Sequence, residues 1–107
     1  AGPSPARPAG KPGAARNDDR KQAAQNRSQV AALTRPLRIE LQQIDARMDK
    51  LAAEKTELET AMSTGRLGAA EIADAGRRLA HVGAEVATLE ERWLELTGQI
   101  DALQAGA

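Results

Sequence analysis

The sequence predicts an all-α protein, an antiparallel two-helix coiled-coil hairpin, because two heptad seams are separated by a short segment that contains glycine. The downstream seam is apolar at alternating steps of three and four residues, at Ile72, Ala75, Leu79, Val82, Val86, Leu89, Trp93, Leu96, Ile100 and Leu103. The upstream seam has the same rhythm, at Val30, Thr34, Leu37, Leu41, Ile44, Met48, Leu51, Lys55, Leu58 and Met62. Both average about 3.5 residues, the coiled-coil period. The short connection favours closure within one chain, so we expect a monomer.

Composition agrees with a narrow helical hairpin rather than a globular core. The 107 residues include one tryptophan, no phenylalanine, no tyrosine and no cysteine. Two long helices can bury leucine, isoleucine and valine along one seam without aromatic residues. The lack of cysteine excludes disulfides and thiolate metal sites, and no apolar run approaches the ~18 residues of a membrane span. We therefore expect a soluble, cytoplasmic protein that does not contact a membrane.

The first third of the chain is basic. Residues 1–35 contain seven lysines and arginines against two aspartates, about +5, so the remaining residues carry about −5 to reach the net charge of zero. Residues 1–16 hold four of the five prolines and have almost nothing to bury, which predicts a disordered basic linker. Such an arm suits a polyanionic partner, although a solubilising linker has the same composition.

A short leading helix is predicted over residues 17–35, with Asn17 as its N-cap. Pro36 cannot donate a backbone hydrogen bond and is favoured at the first position of a helix. We therefore expect a break or kink at Thr34 to Pro36. The hairpin itself should occupy residues 36–105, with its turn at about 63–68.

The turn contains the signals that end one helix and begin the next. Gly65 can adopt the left-handed conformation of a helix C-terminus. If Gly68 is the next N-cap, Leu67 and Ile72 occupy the positions of a hydrophobic staple. The second helix should then run from about Ala69 to Leu103.

Charge predicts the register of the two helices. With the turn centred near Gly65, four oppositely charged pairs face each other: Glu40 with Arg92, Arg47 with Glu85, Glu54 with Arg78, and Arg38 with Glu90. A slide of one heptad would oppose like charges instead. Each surface pair contributes only ~0.2–1 kcal/mol, but several together can select a register. In this register Trp93 should be a core residue against Leu37.

No residues form a catalytic constellation. His81, the only histidine, falls on the outer face without a second metal ligand. The turn sequence Gly65-Arg66-Leu67-Gly68 lacks the lysine and the serine or threonine of a phosphate loop. We expect no enzyme activity, no metal and no cofactor in this chain.

The candidate nucleic-acid contacts are therefore basic side chains in two groups. Five lie in the first third of the chain, at Arg16, Arg20, Lys21, Arg27 and Arg35, and three lie near the turn, at Arg66, Arg77 and Arg78. Such residues make salt-dependent contacts to phosphates without reading sequence. The alternative is a protein-interaction or spacer coiled coil that contacts no nucleic acid. An apolar outer stripe would support that alternative, and Ile39 and Leu94 are its candidates.

Three features in this order resemble the C-terminal extension of ABC-F ATPases, most closely the Uup- and YheS-like branches. They are Arg20-Lys21, the stretch Thr34-Arg35-Pro36-Leu37-Arg38-Ile39-Glu40, and the tryptophan segment Leu89-Glu90-Glu91-Arg92-Trp93-Leu94-Glu95-Leu96. The resemblance covers roughly residues 19–103. The turn departs from it, because relatives often carry Asp-Pro where this chain has Ser63-Thr64-Gly65.

The resemblance implies that the complete protein carries two upstream ATP-binding cassettes, with ATP and magnesium as their ligands, and no transmembrane domain. Members of the family act on ribosomes in translation, and the C-terminal coiled coil of the Uup-like branch binds DNA. The expected partners are therefore DNA, ribosomal RNA or the ribosome. This chain would hold none of the ATP chemistry.

Overall fold

The structure, a computed structural model, describes residues 6–106, with side chains from Arg16 onward. It contains two helices, α1 (Ala6–Ser63) and α2 (Ala69–Ala105), and no strand among the described residues. The helices pack against each other in opposite directions and form a rod of 100 × 19 × 15 Å. The predicted all-α hairpin is confirmed.

The helix α1 runs through Pro36, whereas the sequence predicted a break at Thr34 to Pro36 and a separate leading helix. Proline deprives the Ala32 carbonyl of its partner, but Ala32 is exposed and water can bind there. Thr34 is buried and Leu37 is half-buried, so the seam packs on both sides of the proline. This packing holds the helix together against the local cost of the proline.

The predicted disordered linker covers residues 1–16. Residues 1–5 lie outside the described part of the chain, and residues 6–16 form the first turns of α1. Although Pro8 and Pro12 donate no backbone hydrogen bond, a helix that has already nucleated is extended at a lower cost than one that must nucleate. The packed part of α1 supplies that nucleus.

The turn follows the predicted signals. The helix α1 ends at Ser63, and Gly65 has φ of 70°, the left-handed conformation in which a side chain would be strained. Gly68 is the N-cap of α2, and its carbonyl accepts the Ile72 N–H at 2.9 Å. The helix α2 starts at Ala69 as predicted and ends two residues beyond Leu103.

Three of the four predicted ion pairs are present, and they define the register. Arg92 donates to both carboxylate oxygens of Glu40 at 2.6 and 2.9 Å. Arg47 is equally bidentate to Glu85 at 2.5 and 2.8 Å. The pair of Arg78 with Glu54 has the same two-pronged geometry. The fourth predicted pair, Arg38 with Glu90, is not formed.

The core lies along one side of the seam. In a heptad labelled a to g, the seam has two positions: a, which borders e, and d, which borders g. Between residues 41 and 93, the buried seam residues are all at d, namely Ile44, Leu51, Ala75 and Val82, and no residue at a is buried. The bidentate pairs occupy g positions, so the d residues beneath them are covered. We call this flank the ion-pair face.

The opposite flank, which we call the open face, carries small residues at several e positions, including Ala52, Gly76 and Gly83. Trp93, at position a, is 39% exposed there and is not among the buried core residues. The heptad places its Cα on the seam, but no bulky residue on this flank covers the indole. The predicted core position of Trp93 is therefore wrong.

Candidate nucleic-acid interface

The helix α1 extends beyond its partner. The end of α2 lies beside Asn26 and Val30, where Leu103 and Gly106 line a shared depression. Residues 6–25 therefore precede the two-helix section as a single helix. The arm residues of the candidate interface lie on this overhang and on the first turns of the paired section.

Six cations on this part of α1 share one face, and we call them the basic stripe: Arg16, Arg20, Lys21, Arg27, Arg35 and Arg38. At 3.6 residues per turn they fall within an arc of about 140°. Asp18 and Asp19, the acids of the same segment, fall outside that arc. The helix therefore places the six cations of this segment on one face and its two aspartates outside that face.

All six side chains of the stripe are exposed. None of them forms an ion pair with a side chain of residues 16–106. Their guanidinium and ammonium groups are available to a ligand. Positive charge concentrated along one line attracts a polyanion and raises its local concentration.

Arg38 was missed as a candidate site residue because the sequence predicted an ion pair with Glu90. Its angular position around the helix axis could have identified it. Steps of about 100° per residue place Arg38 directly in line with Arg20 and close to Arg27. Because Pro36 does not interrupt α1, that alignment persists across the proline.

The three candidates near the turn are placed differently from one another. Arg66 is exposed in the turn, and its backbone N–H donates to Thr64 Oγ1 at 3.3 Å. Arg77 forms an ion pair with Asp74 one turn earlier. Along the rod, Arg66 lies about 40 Å from Arg35, whereas Arg77 and Arg78 lie about 28 Å from it, since Arg78 pairs with Glu54.

Arg78 holds the hairpin together rather than presenting charge to solvent. Its Nε and Nη2 donate to the two carboxylate oxygens of Glu54. This hydrogen bonding raises the pKa of Arg78 and lowers the pKa of Glu54. Hydrogen bonds from Arg92 and Arg47 likewise lower the pKa values of Glu40 and Glu85.

Trp93 is exposed but does not join the basic stripe. The depression that it lines also contains Asp45, Glu90, Met48 and Leu94. Two carboxylates beside the indole repel phosphate, so base stacking on Trp93 is electrostatically disfavoured. The exposed part of this ring therefore suits an apolar ligand better than a nucleic acid.

The described side chains include no candidate metal centre. Among residues 16–106, no three histidine, aspartate or glutamate side chains group together as metal ligands would. His81 is exposed on the outer face of α2. The chemistry that the described surface offers is charge along α1 and apolar contact along the open face.

The geometry defines a class of protein, a two-helix coiled-coil module with a basic extension. The family described as ABC transporter C-terminal domain matches residues 32–97, which is more than half of the chain. The chain therefore belongs to the ABC transporter C-terminal domain family. No curated protein and no solved structure matches it. Neither described helix combines the length and apolar character needed to cross a membrane.

Proposed function

We propose that this chain is a non-catalytic nucleic-acid-binding module that positions an ABC-F ATPase on DNA or ribosomal RNA. The observation that carries the proposal is the basic stripe. It spans about 33 Å, from Arg16 to Arg38 at about 1.5 Å per residue. Unpaired cations spread over that length on one face of α1 can contact successive phosphates of a nucleic acid.

The side chains of the stripe determine the kind of recognition. Arginine and lysine neutralise phosphates and release condensed counterions, so binding weakens as salt rises. The stripe contains no aromatic residue for base stacking, since Trp93 is the only aromatic residue of the chain. Contacts of this kind fix position without specifying sequence. We therefore propose binding that is salt-dependent and indifferent to sequence.

The membership of the family supports a role within a larger ATPase. By its resemblance to the ABC-F extension, the parent protein would carry two upstream cassettes that bind ATP with magnesium, and would act in translation on the ribosome in the cytoplasm. This module would then supply attachment, and the cassettes would supply the ATP chemistry. In that arrangement the stripe begins ahead of the paired helices, on the side of the chain nearest to the cassettes.

A salt titration with matched variants tests the proposal. The chain is titrated with duplex DNA and with structured RNA at several salt concentrations. If all six cations contact phosphates of duplex DNA, the slope of log K against log salt is about −5. The double variant Arg20→Gln/Arg27→Gln removes two contacts and should reduce the magnitude of that slope by about 2.

The control removes the same charge from the turn. Arg66→Gln/Arg77→Gln also deletes two cations and leaves the bidentate pair of Arg78 intact. We expect this variant to bind as the parent chain does. Equal losses in both variants would show that total charge rather than the stripe drives binding, and binding that ignores salt would sink the proposal.

The alternative is a protein-interaction or spacer coiled coil without nucleic-acid contact. The observation that favours it is the exposure of large apolar side chains, with Leu94 64% and Ile39 49% exposed. Failure of both nucleic acids to bind at low salt would select this alternative. The ratio of DNA to RNA affinity would otherwise identify the preferred polyanion.

A further inference from the structure

The open face contains a groove along the seam. Three shallow depressions of about 450, 420 and 500 Å³ follow one another from Arg27 to Glu59. The second and third share Met48, and the first ends one helical turn from the second, at Gln42 and Asp45. Together they extend over about 48 Å of α1, from Arg27 to Glu59.

Small residues create this groove. Ala52 and Gly83 border its deepest section, where larger side chains would otherwise cover the seam. The floor there is formed by Leu51, Leu79, Val82 and Val86, with Met48 at its end. A Cβ atom added at Gly76 or Gly83 would meet no atom within 4 Å, so the space beside both glycines is empty.

The groove remains apolar toward its middle. Trp93 and Leu94, 39% and 64% exposed, stand beside Met48. An exposed apolar strip of this kind is unfavourable in water and is typical of a contact surface. Its length and width suit a helix, which packs in such grooves through residues at positions i, i+3, i+4 and i+7.

The charges along the groove specify its occupant. Arg35 and Arg38 line the first depression, and Asp45 and Glu90 line the second, about one heptad further along α1. A second copy related by a two-fold axis at the middle of the groove would place four carboxylates together, which opposes self-association. We propose that the open face binds one amphipathic helix of a partner protein, with an acidic residue near one end and a basic residue about seven positions away.

A designed peptide can serve as the probe. It has 21 residues, leucine and isoleucine at heptad positions, glutamate near one end and lysine seven residues further, and no tryptophan. Trp93 is then the only fluorophore, and docking should shift its emission to the blue and raise its anisotropy. A second peptide with lysine at both positions presents a like charge to Arg38 in either direction of binding and should bind clearly more weakly.

Two glycine substitutions distinguish an effect on peptide docking from an effect on the stability of the fold. Gly83→Gln places a polar side chain in the groove, whereas Gly98→Gln places the same side chain at an exposed position f on the outer face of α2. Both replace a helical glycine with empty space beside it, so both should raise the melting temperature. Only Gly83→Gln should abolish the response of Trp93 to the first peptide.

The stripe variants distinguish this site from the nucleic-acid site. Arg16→Gln/Arg20→Gln, which changes two stripe residues that do not line the groove, should bind the peptide as the parent chain does. Equal affinity for both peptides, or equal behaviour of the two glycine variants, would overturn the proposal. If duplex DNA shifted the emission of Trp93 to the blue and Gly83→Gln abolished that shift, the proposal would be overturned, and the groove would be a binding site for a polyanion. A shift that depends on protein concentration without peptide would assign the groove to a second copy.

Discussion

Three bidentate arginine–glutamate pairs cover one flank of the hairpin, whereas alanines and glycines border the other. The ion-pair face encloses the d residues beneath it, so Leu51 is completely buried. Between residues 41 and 93, the open face leaves the a residues partly in contact with solvent, so Met48 is only half-buried and Trp93 is exposed. The two flanks share one seam and one register, and they differ only in the residues at g and e.

This difference shows how a two-helix rod can fold and still present an apolar surface. In a two-helix rod, the residues at e and g cover the seam from its two sides. Long side chains paired across the g positions close one side, since the aliphatic stems of arginine cover apolar atoms. Small residues at e leave the other side available for a third element, which is the basis of the docking surface proposed above.

The largest expected effect compares the two sides of the seam directly. Leu51→Ala removes a fully buried side chain and should cost about 2–5 kcal/mol in the free energy of unfolding. Met48→Ala removes a similar volume from the open face and should cost clearly less, because part of that side chain already contacts water. Urea unfolding followed by circular dichroism measures both, and equal losses would refute the asymmetry.

Acidification should weaken only the ion-pair face. The pKa values of Glu40, Glu54 and Glu85 lie below their ordinary value of 4.5, chiefly because arginine hydrogen bonds favour the ionised form. Their stabilising contribution is therefore complete above that value and is lost as the pH falls through the lowered values.

The melting temperature should change little from about pH 7 to about pH 5 and then fall. The matched variant Glu54→Gln/Arg78→Gln lacks one of the three pairs and should show a smaller fall. A fall of the same size in both would mean that the pairs do not cause the acid sensitivity.

Reversal of one charge tests the register that the pairs define. Arg47→Glu places a carboxylate opposite Glu85 and should lower the melting temperature. The exchange Arg47→Glu/Glu85→Arg restores an oppositely charged pair at the same level and should recover most of the loss. Without such recovery, the pair would not be a contact in solution. Arg66→Glu, at an exposed site in the turn that forms no ion pair with the described side chains, controls for the change in net charge.

Much of the difference between the two flanks can be predicted from the sequence, but the exposure of Trp93 cannot. The heptads and three of the four charge pairs predicted the fold and the register. They also placed Gly76 and Gly83 on one flank. The exposure of Trp93 did not follow, because a heptad assigns the position of Cα and not the direction in which an indole finds room.

The sequence pattern also failed to predict that α1 continues through Pro36. Local propensity predicts an interruption, since proline costs about 3 kcal/mol within a helix. Packing of the seam on both sides outweighs that local preference. For the candidate interface, the pattern identified five of the six cations of the basic stripe. Arg38 was assigned to an ion pair because a complementary charge faced it, and the structure leaves it in the stripe.

The smallest expected effect concerns the glycines of the open face. Gly83→Ala introduces a methyl group that meets no atom within 4 Å, so it gains helix propensity without a clash. It should stabilise the hairpin by about 0.5–1 kcal/mol. Gly98→Ala, on the outer face with equally empty surroundings, should give the same gain and serves as the control. If Gly83→Ala instead destabilised the chain while Gly98→Ala did not, the helices would approach more closely at Gly83 than described, and the groove proposed as a docking surface would be closed.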